Sequence, residues 1–459
     1  MRRRWRLVCL VLPLAAAGAQ AASASSPATW PQYRGDGTGH VRAAGPLPTS
    51  WSEGHNIAWK SPVPGRGWSS PVVMDGKVWL STAVEDHPSL RLVSFDVQNG
   101  RQVHDVELFR PQAWRESHAD NSYASPTPAA EPGRVCVHFG SYGTACVSTD
   151  GEILWRRKTL ELDYEVGPGS SPILWRDLLI VNCDATDAQL VLALHKETGE
   201  TVWRTDRRFT DARKPPHRKA FSTPLVYYHA GQARLLSTGA THTSAYDPAT
   251  GREIWWLPHD GYSNVPMPMV GLGKAFVDTG YMRPHLLAVP LGKEGPLDPD
   301  KDVLWSYYWQ VPANPSPLLV GTRIYMVNDH GNATWLDAVR GEDIWRRRLH
   351  GRYYASPLLA GGTIYNFSLD GRTTLLRASD TFEELAVNGL DGQIRATPAA
   401  ADRSLFIRTD RHLYRAQDLG QEAPKAGTSD TGTADTATSD TGTSRTSPTS
   451  STRSVDMNL

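Results

Sequence analysis

The chain has 459 residues, enough for two or three ordinary domains or for one closed repeat architecture. Lys plus Arg and Asp plus Glu are both 48, so the formal net charge is zero and no global field favours nucleic acid or an anionic membrane surface. Binding has to come from a local site. Sixteen Trp, 39 Gly and 33 Pro, without a long 3.6-period apolar stretch, point to an all-β chain rich in tight turns.

Residues 1–21 read as a secretory signal: Arg2, Arg3, Arg4 and Arg6 precede the apolar run 7–17, and Ala19-Gln20-Ala21 fits the cleavage pattern. The apolar run is short for a membrane anchor and is interrupted by Pro13. Cys9 lacks a lipid-attachment motif, and the twin arginines stand without the rest of a Tat consensus, which leaves Sec-type export to the periplasm or beyond. A leader and connection occupy 22–55, with WPQYRGDGTGH at 30–40 and a Pro-rich passage to Trp51.

From Trp68 a pattern repeats. A Ser/Thr-Pro pair opens a short apolar run, a turn follows, and a second run ends in small polar residues. The pair stands at Ser70-Pro71, Ser125-Pro126, Ser171-Pro172, Thr223-Pro224, Ser316-Pro317, Ser356-Pro357 and Thr397-Pro398, with a degraded copy at Val265-Pro266-Met267-Pro268. The interval of roughly 40 to 55 residues is that of propeller blades. Each repeat reads as four strands, in blade one Ser70–Met74, Lys77–Thr82, Arg91–Asp96 and Arg101–Glu107. The expected fold is an eight-bladed β-propeller of four-stranded antiparallel blades over 56–419. Blade eight runs out after His412–Gln417, so 56–60 is expected to supply its outer strand and remove two open edges.

A Gly stands four residues before a Trp at Gly151/Trp155, Gly199/Trp203, Gly251/Trp255 and Gly341/Trp345; Trp59 belongs to the closing strand, and Trp305 fills the slot after an inserted loop. These rings are expected to be structural, each packing on the neighbouring blade. Blade one has His104 there and blade seven Leu385-Ala386, so the staple is altered twice. Cys136 and Cys146 lie on two runs joined by a tight turn, where either a disulfide or two unpaired buried thiols is possible; Cys183 has no evident partner. No Cys/His spacing suits zinc, and no metal site is expected. Residues 420–459, rich in Ser, Thr and Asp, cannot bury enough apolar surface to order and are expected to form a solvated tail.

The blade motif SSPVV, the A/D-x-x-x-G-x-x-x-W turn and the N-terminal closing strand resemble the pyrroloquinoline-quinone (PQQ)-like β-propeller family over roughly Trp30 to Ala416, in a secreted bacterial branch. Two relatives share the scaffold: quinoprotein dehydrogenases and the BamB lipoprotein of outer-membrane barrel assembly. The quinoprotein likeness implies PQQ held with calcium beneath a pair of adjacent cysteines; this chain has no such pair, and the calcium ligands have no matching positions. The BamB likeness implies a lipidated N-terminal cysteine, which is also missing here.

A site is expected on the face formed by the connections into each innermost strand. Three residues before the repeat Pro stand Trp68, Tyr123, Gly169, Phe221, Ser263, Asn314, Tyr354 and Arg395; five before it stand Arg66, Asn121, Lys219 and Arg352 among others; and neighbouring turns add His242, Asp329 and His330. Rings beside guanidinium groups suit a planar, anionic or sugar-like ligand, or an extended peptide; the same rings can also serve to plug the channel. The expectation is an exported, monomeric binding or scaffold module for a protein, glycan or small ligand, without cofactor or transmembrane segment. The alternative is a PQQ- and calcium-dependent quinoprotein dehydrogenase with an atypical site.

Overall fold

The computed structural model describes residues 29–42, 45–158, 160–208 and 214–421. The expected signal at 1–21 and the tail from residue 422 lie outside them. Eight sheets of four antiparallel strands form an eight-bladed β-propeller, and blade four carries an additional short strand. Blade one is Val72–Met74, Lys77–Val84, Ser89–Asp96 and Gln102–Phe109. Its two middle strands are almost wholly buried, because a blade inside the ring is covered on both faces.

The Ser/Thr-Pro pair has a physical reason. Proline fixes the entry angle of the innermost strand and has no N–H to leave unpaired. The hydroxyl before it accepts the backbone N–H of the preceding blade: Ser70 N donates to Thr127 Oγ1 (2.9 Å), Thr127 N to Ser171 Oγ (2.9 Å) and Ser171 N to Thr223 Oγ1 (3.2 Å). On the other side Met267 N donates to Ser316 Oγ (2.9 Å), Ser316 N to Ser356 Oγ (2.8 Å) and Ser356 N to Thr397 Oγ1 (2.8 Å). The blades are thus stitched round the channel by hydroxyl groups.

The stitch corrects two registers. In blade two the acceptor is Thr127, and the innermost strand Ala129–Glu131 starts directly after Pro128, so the repeat pair is Thr127-Pro128 and not Ser125-Pro126. In blade five the strand Met269–Gly271 starts after Pro268, so Met267 fills the hydroxyl slot. Tyr123 therefore takes the place of Arg66 and Arg352, five before the Pro, Ser125 takes that of Trp68, and in blade five Ser263 moves to the former position. Doubled Pro in both segments hid the register.

Ile57–Pro62 pairs antiparallel with His412–Gln417, so the N-terminal strand closes blade eight as expected. Trp51 reinforces the closure, its ring stacking on Tyr365 (6.4 Å between centroids) and its backbone N–H donating to Asn388 Oδ1 (2.9 Å). The leader does more than connect. Trp30 bonds both ways to Val73 of blade one, Pro31 O accepts from Ala130 of blade two, Tyr33 Oη meets Ser356 Oγ (2.9 Å), and Val41 N donates to Leu359 O (2.8 Å) of blade seven. Residues 30–41 thereby cross the channel and tie distant blades together.

The Trp staples are structural. Trp59 Nε1 donates to Val97 O (2.9 Å), Trp155 to Lys196 O (2.7 Å), Trp203 to Pro248 O (3.1 Å) and Trp345 to Ser379 O (3.0 Å), in each case across to the next blade. The turn glycine must be Gly twice over: Gly199 has φ +70°, and a Cβ there would lie 2.5 Å from the Trp155 ring. Trp305 covers Gly341 likewise, and Trp255 is buried. His104 replaces the staple between blades one and two, its ring against Gly151 and stacked on Trp79 at 5.5 Å. Cys136 and Cys146 pair directly across their hairpin and form a disulfide, while Cys183 is a buried free thiol.

Blade five departs from the pattern. Between its third strand, Leu286–Pro290, and its outer strand, Trp305–Tyr307, the usual tight turn is replaced by an insertion. Within it Gly295–Pro296 adds a parallel strand to blade four, at Trp255 and Trp256, and Pro299–Asp302 forms one helical turn capped by Asp298.

Candidate functional site

The connections into blades seven, eight and one bring five of the sequence candidates into one contact chain. Arg66 lies 5.3 Å from the Trp68 ring centroid, and Arg395 lies 5.3 Å from the same ring and 4.8 Å from that of Tyr354. Arg352 lies 5.6 Å from the Tyr354 ring and donates to its hydroxyl (2.9 Å). The result is a ladder of guanidinium, indole, guanidinium, phenol and guanidinium, spanning three blades. Planar guanidiniums are weakly hydrated and lie on aromatic faces, which is why arginine and not lysine suits these rungs.

The ladder is under-neutralised. Asp120, on the connection into blade two, accepts from Arg395 (3.1 Å), and Glu85 pairs with Arg66 at 3.5 Å. Partial burial raises the Asp120 carboxyl, but Arg395 outweighs it and holds the group below its usual range. Burial, followed by the Asp120 charge, pushes the Tyr354 phenol up. Arg352 is exposed and has no carboxylate partner among the described residues.

Beneath Trp68 sits a further guanidinium that the repeat alignment did not single out. Arg408, 2% exposed, donates to Ser69 O (3.2 Å), Ser69 Oγ (2.7 Å) and Ser81 O (2.9 Å). Its partners are neutral, and burial alone drives its pKa down to about 9. The signal was in the sequence: Arg408 ends the run SLFIR, where a buried strand has no use for a charge. Charged Arg408 therefore adds positive potential under the ladder, and an incoming anion would relieve it.

The other candidates are engaged elsewhere. Asn121 donates to Val166 O (2.8 Å) and Pro168 O (3.2 Å), fixing its own loop. Tyr123 stacks on Trp114 (4.1 Å) and donates to Arg115 O (2.8 Å). Lys219 is buried in an ion pair with Glu165, and Phe221 packs over Gly169. His242 is buried; desolvation, with Arg207 and His259 nearby, lowers it to about 3. Asp329 uses both oxygens, on Ala313 N (2.7 Å) and on the Asn314 amide. His330 stands exposed at the tip of its turn, outside the ladder. Asp184, another turn residue, is wholly buried against Arg207 (2.6 Å). Among the described residues no three His, Cys, Asp or Glu side chains converge as a metal site would need.

Comparison with known proteins bears on the scaffold. A family model described as "Outer membrane protein assembly factor BamB" matches residues 16–182, 187–283 and 296–394. No curated protein sequence matches. Among solved structures the chain is similar to BamB from Moraxella catarrhalis, with a TM-score of 0.55 and 12% identity over 78% of this chain and 99% of that one. It is also similar to quinohemoprotein alcohol dehydrogenase from Comamonas testosteroni, with a TM-score of 0.59 and 12% identity over 87% and 82%. A europium-containing methanol dehydrogenase has a TM-score of 0.56 and 12% identity over 83% and 89%. At such identity the structural likeness is one of fold, shared by BamB and by two dehydrogenases.

Proposed function

Starting from the fact that this chain belongs to the PQQ-repeat family described as outer membrane protein assembly factor BamB, we propose that it is an exported, non-catalytic binding module. Its funnel face takes an acidic segment of a partner protein on the arginine-aromatic ladder. The observation that carries this reading is the ladder itself: three guanidiniums held by two rings, with Arg352 free of any carboxylate among the described residues and the buried charge of Arg408 below. Carboxylates make charge-assisted, bidentate hydrogen bonds to such groups, and the rings supply apolar area at little conformational cost. No helix among the described residues is long and apolar enough to cross a membrane. Export rests on the signal-like sequence at 1–21.

The quinone reading fits these residues poorly. PQQ with calcium would need a free flat wall and converging oxygen ligands. Trp68 already carries two guanidiniums, Asp329 has both oxygens engaged, and no acidic cluster converges among the described residues.

The test is a fluorescence-anisotropy titration of the full exported chain with a labelled oligoglutamate peptide, repeated with PQQ plus calcium. Saturable, salt-sensitive peptide binding that weakens by about tenfold in Arg352→Gln supports the proposal, that factor being what one charge-assisted contact is worth. Peptide binding indifferent to Arg352→Gln and Arg66→Gln would sink it. So would calcium-dependent saturation by PQQ, followed by quinone absorbance.

A further inference from the structure

On the opposite side of the ring, between blades four and five, lies a pocket of about 860 Å³. It opens beside the insertion that replaces the stapled turn of blade five. Nearer the channel Met267 offers no hydroxyl to the amide of Thr223, and Ser222 Oγ donates to Pro266 O (2.8 Å) and Phe221 N to Asn264 O (2.7 Å) across the same interface instead. Pro299 and Val303 of that insertion form one wall, and Leu287 helps form the floor.

The lining combines a flat aromatic face with convergent hydrogen-bonding groups. His217 stacks on Tyr262 at 4.2 Å and 17°, and Tyr281 meets Tyr262 edge-on at 5.8 Å. Ser306 and His285 supply hydroxyl and imidazole groups, while the buried Thr279 hydroxyl is engaged with Arg283 O and His285 N. His259 is held by Thr243 Oγ1 (3.1 Å) and by Asp260 O (3.1 Å), and burial lowers its pKa to about 4, so it stays neutral near pH 7. Of the described lining residues, Lys214 and Asp260 carry permanent charge, and they cancel. Around the mouth stand large exposed rings: Tyr281 at 45%, Tyr308 at 63% and Trp309 at 52% exposure. Tyr308 lies 5.7 Å from Trp309 and 6.3 Å from His285, so the exposed rings lead into the cavity.

A charge-balanced cavity, polar on some sides and aromatic on one, with an aromatic track at its entrance, matches a ligand that has both flat C–H faces and many hydroxyls. We propose that this inter-blade pocket binds a neutral oligosaccharide: one sugar lies on Tyr262, hydroxyl-bonded to Ser306 and His285, and further units run over Tyr308 and Trp309. The exposed rings are too many and too clustered for incidental surface residues, which normally stand singly. The site is separate from the ladder and does not depend on it.

The experiment is isothermal titration of the full exported chain with maltotetraose, cellotetraose, chitotetraose and xylotetraose, each up to about 1 mM, a usual upper range for weak recognition. The expected result is saturable binding of one of them. Tyr262→Ala should weaken it by about tenfold, the worth of one stacking contact. Trp68→Ala should leave it unchanged. If melting shows Tyr262→Ala to be misfolded, the Tyr308→Ala/Trp309→Ala double variant carries the test, since both rings are more than half exposed. Binding of none of the four sugars, binding indifferent to the ring variants, or binding lost in Trp68→Ala would overturn the assignment.

Discussion

Arg395→Gln isolates the ladder. The side chain is only 12% exposed, touches the Trp68 and Tyr354 rings at 5.3 and 4.8 Å, and pairs with Asp120 at 3.1 Å. Each cation-ring contact with a largely desolvated guanidinium is worth about 1–2 kcal/mol. The ion pair adds about 0.5 kcal/mol, because the Asp120 side chain is 45% exposed and screened by water. Glutamine keeps polarity and a smaller planar amide that retains a little of the ring contact, but no charge, so the variant should lose about 2–4 kcal/mol. In a chain of this size a loss of 1 kcal/mol moves Tm by about 1 °C, so the shift should be about 2–4 °C in differential scanning calorimetry. Arg395→Lys keeps the ion pair without the plane and should fall between the two. Both variants should also weaken the oligoglutamate peptide, because Trp68 and Tyr354 lose the group that holds them in line. A Tm within about 1 °C of the parent, with peptide affinity unchanged, would show the ring contacts to be incidental and refute the reasoning.

Acid should destabilise the fold through its buried imidazoles. Burial lowers His138 to about 4, and burial with neighbouring Arg207 lowers His242 to about 3, from an ordinary 6.5. As pH falls below 6.5 the unfolded chain takes up protons that the folded chain refuses, so stability should drop by about 1.4 kcal/mol per group per pH unit down to about 4. His138→Gln should flatten that slope in urea unfolding between pH 6.5 and 4, and an unchanged slope would remove His138 from the account. Trp155→Ala removes a buried ring and its bond to Lys196 O, and should cost about 3–5 kcal/mol by thermal melting. Reducing the Cys136–Cys146 disulfide, whose partners are 10 residues apart, should cost about 2–3 kcal/mol, measured by melting with and without a phosphine reductant.

The fold was legible because a closed ring of equivalent blades imposes the same local demands eight times. Ser/Thr-Pro, the turn glycine and the Trp recur because each meets a neighbour that also recurs. The closing strand Ile57–Pro62 could be assigned because one blade was a strand short. Legibility failed where a local signal was doubled, as in Ser125-Pro126-Thr127-Pro128, since only the hydroxyl bond to Ser171 shows which Pro begins the strand. The leader's course across the channel was hidden for another reason. Trp30 to Val41 is held by backbone bonds to three blades, and such bonds leave no mark in side-chain pattern. The candidate site was half legible. Trp68, Tyr354 and the three arginines could be placed on one face by counting back from Pro, but counting cannot say which blades turn those side chains toward each other. Lys219, Phe221 and His242 occupy comparable repeat positions and end in an ion pair, a packed ring and a buried imidazole.

Where this chain obeys its repeat, the recurring polar groups mostly answer another blade. Hydroxyls before Pro are taken by amides, and the indole N–H groups of Trp59, Trp155, Trp203 and Trp345 by carbonyls. Free chemistry can therefore arise only where the repeat is broken. It is broken at Arg408, a charge placed in an apolar strand, and the under-neutralised ladder stands directly above it. It is broken again in the blade five insertion, whose Pro299 and Val303 line the pocket, and at Met267 of the same blade. A sequence that specified only the ring would have kept a hydroxyl at 267, a tight turn near 291 and an aliphatic residue at 408. Each departure gives up local consistency, which folded chains do at functional sites. Restoring the rule should strengthen the scaffold and weaken the site: Met267→Ser should tighten the blade four to blade five interface, raise Tm, and reduce oligosaccharide binding at the pocket between the same two blades. A Met267→Ser chain that melts higher and binds the sugar as before would separate the missing stitch from the pocket, and would show that the insertion alone holds the cavity open.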